Sequence, residues 1–315
     1  MNPAFSVILF TTLAGVAQGV VIAIAVLTLA GAAPAGSFVA LGLAVSLVLL
    51  VIALGASFLH LGRPARAWRA VLMWRTSWLS REVIVLPVFI AVVAGWLGLH
   101  LWGQPGGLRD LTLPVLAIVL ALVLWYCTAM IYACIRFIQE WAHPLTIANY
   151  TLIGLSSGLV LFTALAWFAG QSQLVRPAAG WALALTLLAA VVRSVSIARN
   201  AKLKPKSNLQ SATGIRNRQV VQKSMGMTGG AFNTREFMHG KTLAFLARIK
   251  YFAIAAGFVL PALLLLPVVL GGEAGRFGAW LFAAVAVQYV GLLAERWFFF
   301  AQARHPQNLY YQIVS

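Results

Sequence analysis

Eight uncharged apolar runs divide this sequence and constrain its fold more than any other feature. A helix needs about 20 mostly apolar residues to cross the hydrocarbon core of a bilayer. The runs cover residues 5–30, 37–60, 83–102, 112–135, 147–169, 178–192, 251–271 and 277–294. They predict an all-α membrane protein with eight transmembrane helices, and we expect the sixth helix to continue past Arg193.

Composition supports the same fold class. Hydrophobic residues make up 62% of the 315 positions and charged residues only 9%, whereas soluble domains have about 25% charged residues. Because eight spans leave no room for a separate catalytic domain, we predict a single integral membrane domain over residues 1–315. Two stretches lie outside the predicted spans: a basic, tryptophan-rich interfacial segment at residues 61–81 and a long polar loop at about 199–249.

The basic residues are distributed unevenly across this topology. Eight spans place both termini on one side, called the terminus side below, together with the loops after the second, fourth and sixth helices. Of the 23 Lys and Arg residues, 20 fall on the terminus side and three, Arg109, Arg176 and Arg276, on the other. Since cytoplasmic loops carry the Lys/Arg excess, both termini are predicted to be cytoplasmic. The net charge of +17 then indicates topology and attraction to anionic lipid, and no motif favours nucleic acid as a partner.

A histidine and a carboxylate fall at similar predicted depth on the terminus side. His60 closes the second helix, and Glu82 opens the third after Ser80, which we expect to be the N-cap. A helix C-terminus favours a protonated histidine and a helix N-terminus favours an ionised carboxylate, so the pair could handle protons at the lipid boundary. Quinone reduction would use such a pair, because a quinone takes up two protons together with two electrons.

Structural roles compete with functional ones at these and other polar positions. A carboxylate in a first helical turn is usually electrostatic capping, and an interfacial histidine is often an anchor. Gln18, midway along the first helix, more often makes an interhelical hydrogen bond than a ligand contact. Tyr132, near the terminus-side end of the fourth helix, fits an interfacial aromatic belt. Tryptophans interleaved with arginines predict a surface-lying helix that could also cover a lipid-side pocket: Trp68, Trp74 and Trp78.

Several other motifs carry no chemistry in this context. The run GLSSG at residues 154–158 matches a nucleophile elbow, but it lies in an apolar helix with no preceding strand, so it predicts a close helix contact. All five histidines fall at span ends or in loops, whereas a buried b-type haem needs axial ligands at depth; we expect no haem in this chain. No cysteine set or histidine–carboxylate cluster has metal-site spacing.

Two segments resemble a known family. Residues 56–64 (ASFLHLGRP) and 74–82 (WRTSWLSRE) resemble the signature of the dimethyl sulfoxide reductase membrane-anchor family, whose eight-span plan agrees over nearly the whole chain. The resemblance implies a bacterial inner-membrane anchor for a molybdopterin catalytic subunit and an iron–sulfur subunit, which exchanges electrons with ubiquinone or menaquinone without haem. It places His60 and Glu82 at the quinone-site histidine and acid. For Gln18, Arg75, Arg81 and Tyr132, proximity alone suggests quinone contact.

The long loop resembles one particular branch of this family. Its residues 224–237 (SMGMTGGAFNTREF) resemble the branch of the family that serves cytoplasmic sulfite dehydrogenases, and the charge bias also places the docking face inside the cell. This implies electron transfer from sulfite to quinone, with both soluble subunits on the cytoplasmic side. Two alternatives stay open: an anchor of a dimethyl sulfoxide-type reductase that oxidises quinol, and a membrane transporter. A disordered lipid-binding linker is the structural alternative for the loop.

Overall fold

Eight long helices form the body of the protein in a computed structural model of the chain. The structure describes residues 1–32, 34–59, 61–103, 105–221, 239–271, 277–306 and 308. Within these ranges eight helices are long and apolar enough to cross a membrane: α1 (Phe5–Leu29), α2 (Gly36–Phe58), α3 (Trp78–Trp102), α4 (Leu108–Ala133), α5 (Pro144–Phe168), α6 (Ser172–Ala201), α8 (Leu243–Leu270) and α9 (Phe277–Ala301). The predicted all-α membrane fold with eight spans is confirmed.

Shorter elements lie between the spans. A 3-10 helix at Pro64–Met73 occupies the predicted interfacial segment, and the short helix α7 (Leu209–Thr213) lies in the long polar loop. Two spans contain single π-helical segments, at Leu108–Thr112 in α4 and Ala255–Val259 in α8. The expectation that the sixth helix continues past Arg193 is confirmed, since α6 ends at Ala201.

Helices α1 and α5 form the centre of the bundle and are the most buried spans. Helices α2, α3 and α4 pack on one side of this pair, and α6, α8 and α9 pack on the other. The apolar core therefore runs through the middle of the bundle. Its largest fully buried side chains include Phe38, Phe89, Trp96 and Leu265.

Glycines bring the two central helices into backbone contact. Gly15 and Gly19 on α1 face Gly154 and Gly158 on α5, and a Cβ atom at Gly19 would lie only 2.8 Å from Gly158 Cα. Small residues spaced by four allow such close approach in membranes, where packing and not the hydrophobic effect drives helix association. The helix-contact interpretation of the GLSSG run is confirmed.

The N-terminus and the C-terminal end of α9 are in contact on the terminus side. The Met1 ammonium donates hydrogen bonds to the carbonyl oxygens of Phe300, at 3.3 Å, and Ala303, at 3.0 Å. These carbonyls lie at the C-terminal end of α9, where helix carbonyls lack intrahelical partners and a positive charge is favourable. An even number of spans explains why the two ends lie on the same side.

Candidate functional site

The residue at which α3 begins determines how far Glu82 lies from the end of that helix. Helix α3 begins at Trp78, and its N-cap is Ser77, whose hydroxyl accepts a hydrogen bond from the Ser80 backbone N–H at 3.3 Å. The prediction that Ser80 is the N-cap is wrong, because Ser80 already has helical neighbours on both sides and Ser77 has the extended backbone of a cap. Glu82 therefore lies in the second turn, and the first turn of α3 contains no acidic residue. First-turn capping does not explain this carboxylate.

The Glu82 side chain is buried against the neighbouring span. Only 4% of the residue is exposed, and the Thr128 hydroxyl on α4 donates a hydrogen bond to its Oε1 atom. An ionisable group inside a transmembrane bundle is costly, so it is usually functional or paired. No other hydrogen bond to this carboxylate comes from the described part of the chain. Sequence reasoning missed Thr128, because threonine is unremarkable in an apolar run.

Tyr132 lies one turn beyond Thr128 on the same face of α4. Its ring stacks on Tyr150, with ring centroids 5.9 Å apart, and meets the Trp141 ring edge-on at 5.2 Å. Phe299 and Phe300 of α9 complete the contacts, at 5.5 and 5.4 Å. Tertiary packing therefore places the ring in an aromatic cluster between α4, α5 and α9, and the belt interpretation of Tyr132 stays a prediction.

Gln18 links the central helix α1 to α4. Its side-chain amide donates a hydrogen bond to the Ala121 carbonyl oxygen at 2.9 Å, and the residue is buried. This is the interhelical hydrogen bond that the sequence favoured over a ligand contact. Gln18 also lines a small internal cavity of about 10 Å³, room for about one water molecule.

That cavity lies directly behind the Glu82–Thr128 hydrogen bond. Helices α1, α4, α5 and α9 form it, and Thr128 both lines it and donates the hydrogen bond to Glu82. Its polar lining comes from Thr11, Thr12, Gln18, Trp125, Thr128, Tyr150, Ser157 and Arg296. Polar side chains are therefore concentrated inside the terminus-side half of the bundle.

An ion cluster adjoins the cavity, and sequence reasoning missed it. The Nε atom of Arg193 on α6 lies 2.7 Å from Glu295 Oε1, and the Nε atom of Arg296 lies 3.5 Å from Glu295 Oε2. Residue exposures are 1% for Arg193 and Glu295 and 3% for Arg296. The Arg296 guanidinium also lies 3.7 Å from the centre of the Tyr150 ring. The available signal was Arg193, because an arginine inside a span needs a partner.

Arg75 and Arg81 lie outside this interior group. Arg81 donates hydrogen bonds to the backbone carbonyls of Trp74 and Arg75, both at 2.9 Å, and its guanidinium lies 4.0 Å from the centre of the Trp78 ring. Arg75 is exposed and lies over Trp74, 5.4 Å from the ring centre. These contacts attach the 3-10 helix to the start of α3.

The predicted partner of Glu82 is His60, which lies outside the described residues. The preceding residue Leu59 caps the end of α2 and is 80% exposed. Helices α2 and α3 pack side by side, so the end of α2 and the start of α3 share one edge of the bundle. The structure thus groups Glu82, Tyr132 and Gln18 around α4. Among the described residues, no three His, Cys, Asp or Glu side chains could hold a metal ion together.

Eight membrane-spanning helices with buried ionisable side chains near one end of the bundle define the protein as a multi-pass membrane protein. Residues 1–222 match the family model described as DMSO reductase anchor subunit (DmsC), and the chain belongs to this family of membrane anchor subunits. A sulfite dehydrogenase subunit of Allochromatium vinosum is 48% identical to the chain over 332 aligned positions, which cover 100% of both proteins. The resemblance predicted from residues 56–64 and 74–82 is confirmed.

Proposed function

We propose that this protein is the quinone-reactive membrane anchor of a molybdenum iron–sulfur oxidoreductase that passes electrons from sulfite oxidation to quinone. Family membership and the full-length similarity to a sulfite dehydrogenase component support the class of complex. The observation that carries the proposal for this chain is the buried carboxylate of Glu82. It lies in the second turn of α3, at the edge of the bundle where α2 ends two residues before His60.

The proposed quinone site is at the lipid edge between α2 and α3. The internal cavity of about 10 Å³ is too small for a quinone ring, so the ring would enter from the lipid. Bound ubiquinone or menaquinone would take up two electrons and two protons. The imidazole of His60 would hydrogen-bond a ring carbonyl oxygen, and the carboxyl group of Glu82 would exchange protons with water at the membrane surface. The Thr128 hydroxyl holds Glu82 in place for this transfer.

The soluble partners would dock on the terminus side. The proposed partners are an iron–sulfur subunit, which would deliver the electrons, and a molybdopterin catalytic subunit behind it. The exposed 3-10 helix with its arginines belongs to this face, as do 20 of the 23 Lys and Arg residues. The part of the long loop that resembles sulfite dehydrogenase anchors, residues 224–237, lies outside the described residues. We propose that it contacts the iron–sulfur subunit.

Two variants test the quinone site. His60→Ala should abolish sulfite-driven quinone reduction while leaving assembly and dye-linked sulfite oxidation intact. Glu82→Gln keeps the shape and hydrogen bonding of the side chain but removes its titration, so quinone turnover should slow and its pH profile should change. His100→Ala and Asp110→Asn are matched controls, because these residues lie near the ends of α3 and α4 that are farthest from Glu82 and Thr128. Wild-type quinone kinetics in both site variants would place the site elsewhere.

Orientation and docking need separate tests. We propose cytoplasmic termini in the bacterial inner membrane, so reporters fused after Ser315 and in the loop at residues 103–107 should label opposite sides. A periplasmic C-terminus would contradict both the orientation and the cytoplasmic docking face. Deletion of residues 225–238 should release the soluble subunits from membranes, and unchanged retention would contradict the docking role of the loop.

The family description favours one second candidate. A DMSO reductase anchor would use the same site in the opposite direction, oxidising quinol to supply a reductase. Purified complex given sulfite and quinone, or a sulfoxide and quinol, separates the two functions. Turnover only in the second assay would overturn the proposed direction of electron flow.

A further inference from the structure

The internal cavity has polar groups of two kinds. Its threonine and serine hydroxyl groups already donate their protons elsewhere: Thr128 donates to Glu82, and Ser157 donates to the Ile153 carbonyl oxygen at 2.8 Å. A hydroxyl that donates its single proton still has lone pairs that can accept a hydrogen bond. Thr128 and Ser157 therefore present acceptors to the cavity.

The second group consists of donors. Trp125 Nε1 and Arg296 Nη1 belong to side chains that line the cavity, both atoms are buried, and neither has a hydrogen-bond partner within the part of the chain that the structure describes. Leaving a buried donor unsatisfied costs about 1–3 kcal/mol, and more for a charged group. Such groups in native proteins usually have a bound partner.

We propose that the cavity binds one water molecule that joins Thr128 to Arg296. A water can accept from the Trp125 indole and the Arg296 guanidinium, and it can donate to the hydroxyl oxygens of Thr128 or Ser157. A bound anion would satisfy the two donors only. The volume of about 10 Å³ matches one water, which typically makes about three hydrogen bonds when buried.

This water site extends the proposed quinone mechanism and rests on it for its role. It completes a hydrogen-bonded chain from Glu82 through Thr128 and the water to Arg296. When Glu82 is ionised, Thr128 donates to it. When Glu82 is protonated, it can donate to Thr128, and the Thr128 hydroxyl can rotate to donate to the water in place of one of the two cavity donors, since a water accepts only two hydrogen bonds. The water thus makes Thr128 a positioning residue for both protonation states of Glu82, with no covalent step.

Gly15→Ala tests the water site, because the added Cβ atom fits without a steric clash. Gly15 lines the cavity, and a Cβ atom there would lie 3.9 Å from Trp125 Nε1 and 3.7 Å from Gly154 Cα, which are ordinary contacts. The added methyl group should displace the water. Gly95→Ala on α3 is the matched control, because its Cβ atom would meet nothing within 4 Å. Both variants should assemble with the soluble subunits.

High-resolution electron cryomicroscopy of the whole complex provides the measurement. We expect one density peak within hydrogen-bond distance of Thr128 Oγ1, Trp125 Nε1 and Arg296 Nη1 in the wild type and Gly95→Ala, and none in Gly15→Ala. No peak in the wild type would overturn the proposal. A peak contacted only by Trp125 and Arg296 would indicate an anion and would also overturn it.

Infrared spectroscopy separates this proposal from the quinone mechanism. A water O–H band that shifts in H₂¹⁸O should be present in the wild type and Gly95→Ala and absent in Gly15→Ala. The carboxyl band that Glu82→Gln removes should shift in Gly15→Ala only. If these bands behave as expected while His60→Ala retains quinone turnover, the water site holds and the quinone site fails. If the bands are identical in all three proteins, the water site fails whatever the quinone kinetics show.

Discussion

The buried ion cluster contains two guanidinium groups and one carboxylate, and this ratio predicts an asymmetric response to mutation. Glu295 contacts Arg193 at 2.7 Å and Arg296 at 3.5 Å, and all three residues are almost fully buried. Glu295→Gln would leave two uncompensated cations in the bundle. Arg193→Met would leave Glu295 paired with Arg296. Removing the single acid should therefore be much more destabilising than removing this arginine.

The expected losses of folding stability follow from the burial of these charges. Breaking a buried ion pair by removing one partner costs about 3–5 kcal/mol, because an unpaired charge stays buried, and we expect Glu295→Gln to lose about that much. For Arg193→Met we expect a loss of about 1–2 kcal/mol, since the acid keeps the Arg296 guanidinium as an ion-pair partner and the thioether fills part of the space. Arg109→Met is the control. It breaks a partly exposed pair with Asp110, at 2.7 Å on the opposite membrane side, worth about 0–1 kcal/mol.

Thermal unfolding of the purified complex in detergent, followed by intrinsic fluorescence, gives the ranking. The expected order of Tm is wild type and Arg109→Met highest, Arg193→Met lower, and Glu295→Gln lowest. Equal losses for Glu295→Gln and Arg193→Met would refute the charge-ratio argument. They would mean that packing, and not uncompensated charge, determines the contribution of this cluster.

Three further predictions concern stability. Gly158→Ala would push a Cβ atom into the Gly19 backbone, so it should cost about 1–3 kcal/mol by overpacking; Gly180→Ala, where a Cβ atom meets nothing within 4 Å, should leave Tm unchanged. Ser77→Ala removes the N-cap of α3 and should cost about 1 kcal/mol; Ser80→Ala should have a smaller effect in the same unfolding assay. Burial, and then the positive charges of the N-terminus and Lys241, lower the pKa of His239 below its ordinary value of 6.5. The unfolded state then binds more protons below pH 6.5, so stability should fall as the pH drops below that value. His239→Asn can still accept from the Lys241 N–H and should flatten this dependence, and parallel pH–Tm curves would contradict the assignment.

The sequence alone determined the membrane fold and its number of spans. Spanning the bilayer requires a minimum length of apolar residues, and that requirement is met by consecutive residues, so eight spans could be counted directly. The GLSSG run also predicted a close helix contact correctly, because only small residues allow backbones to touch. Two short segments around His60 and Glu82 were specific enough to indicate the family.

Only the tertiary structure decided which side chains meet. The pairing of Glu82 with Thr128, the aromatic surroundings of Tyr132 and the cluster of Arg193, Glu295 and Arg296 all join different helices. Each pairing depends on how a helix is rotated about its own axis. In a soluble helix an apolar stripe reveals that rotation, but these spans are apolar on both their lipid and protein faces. Their sequences therefore contain little information about which face turns inward, and helix packing alone brings the ionisable side chains together.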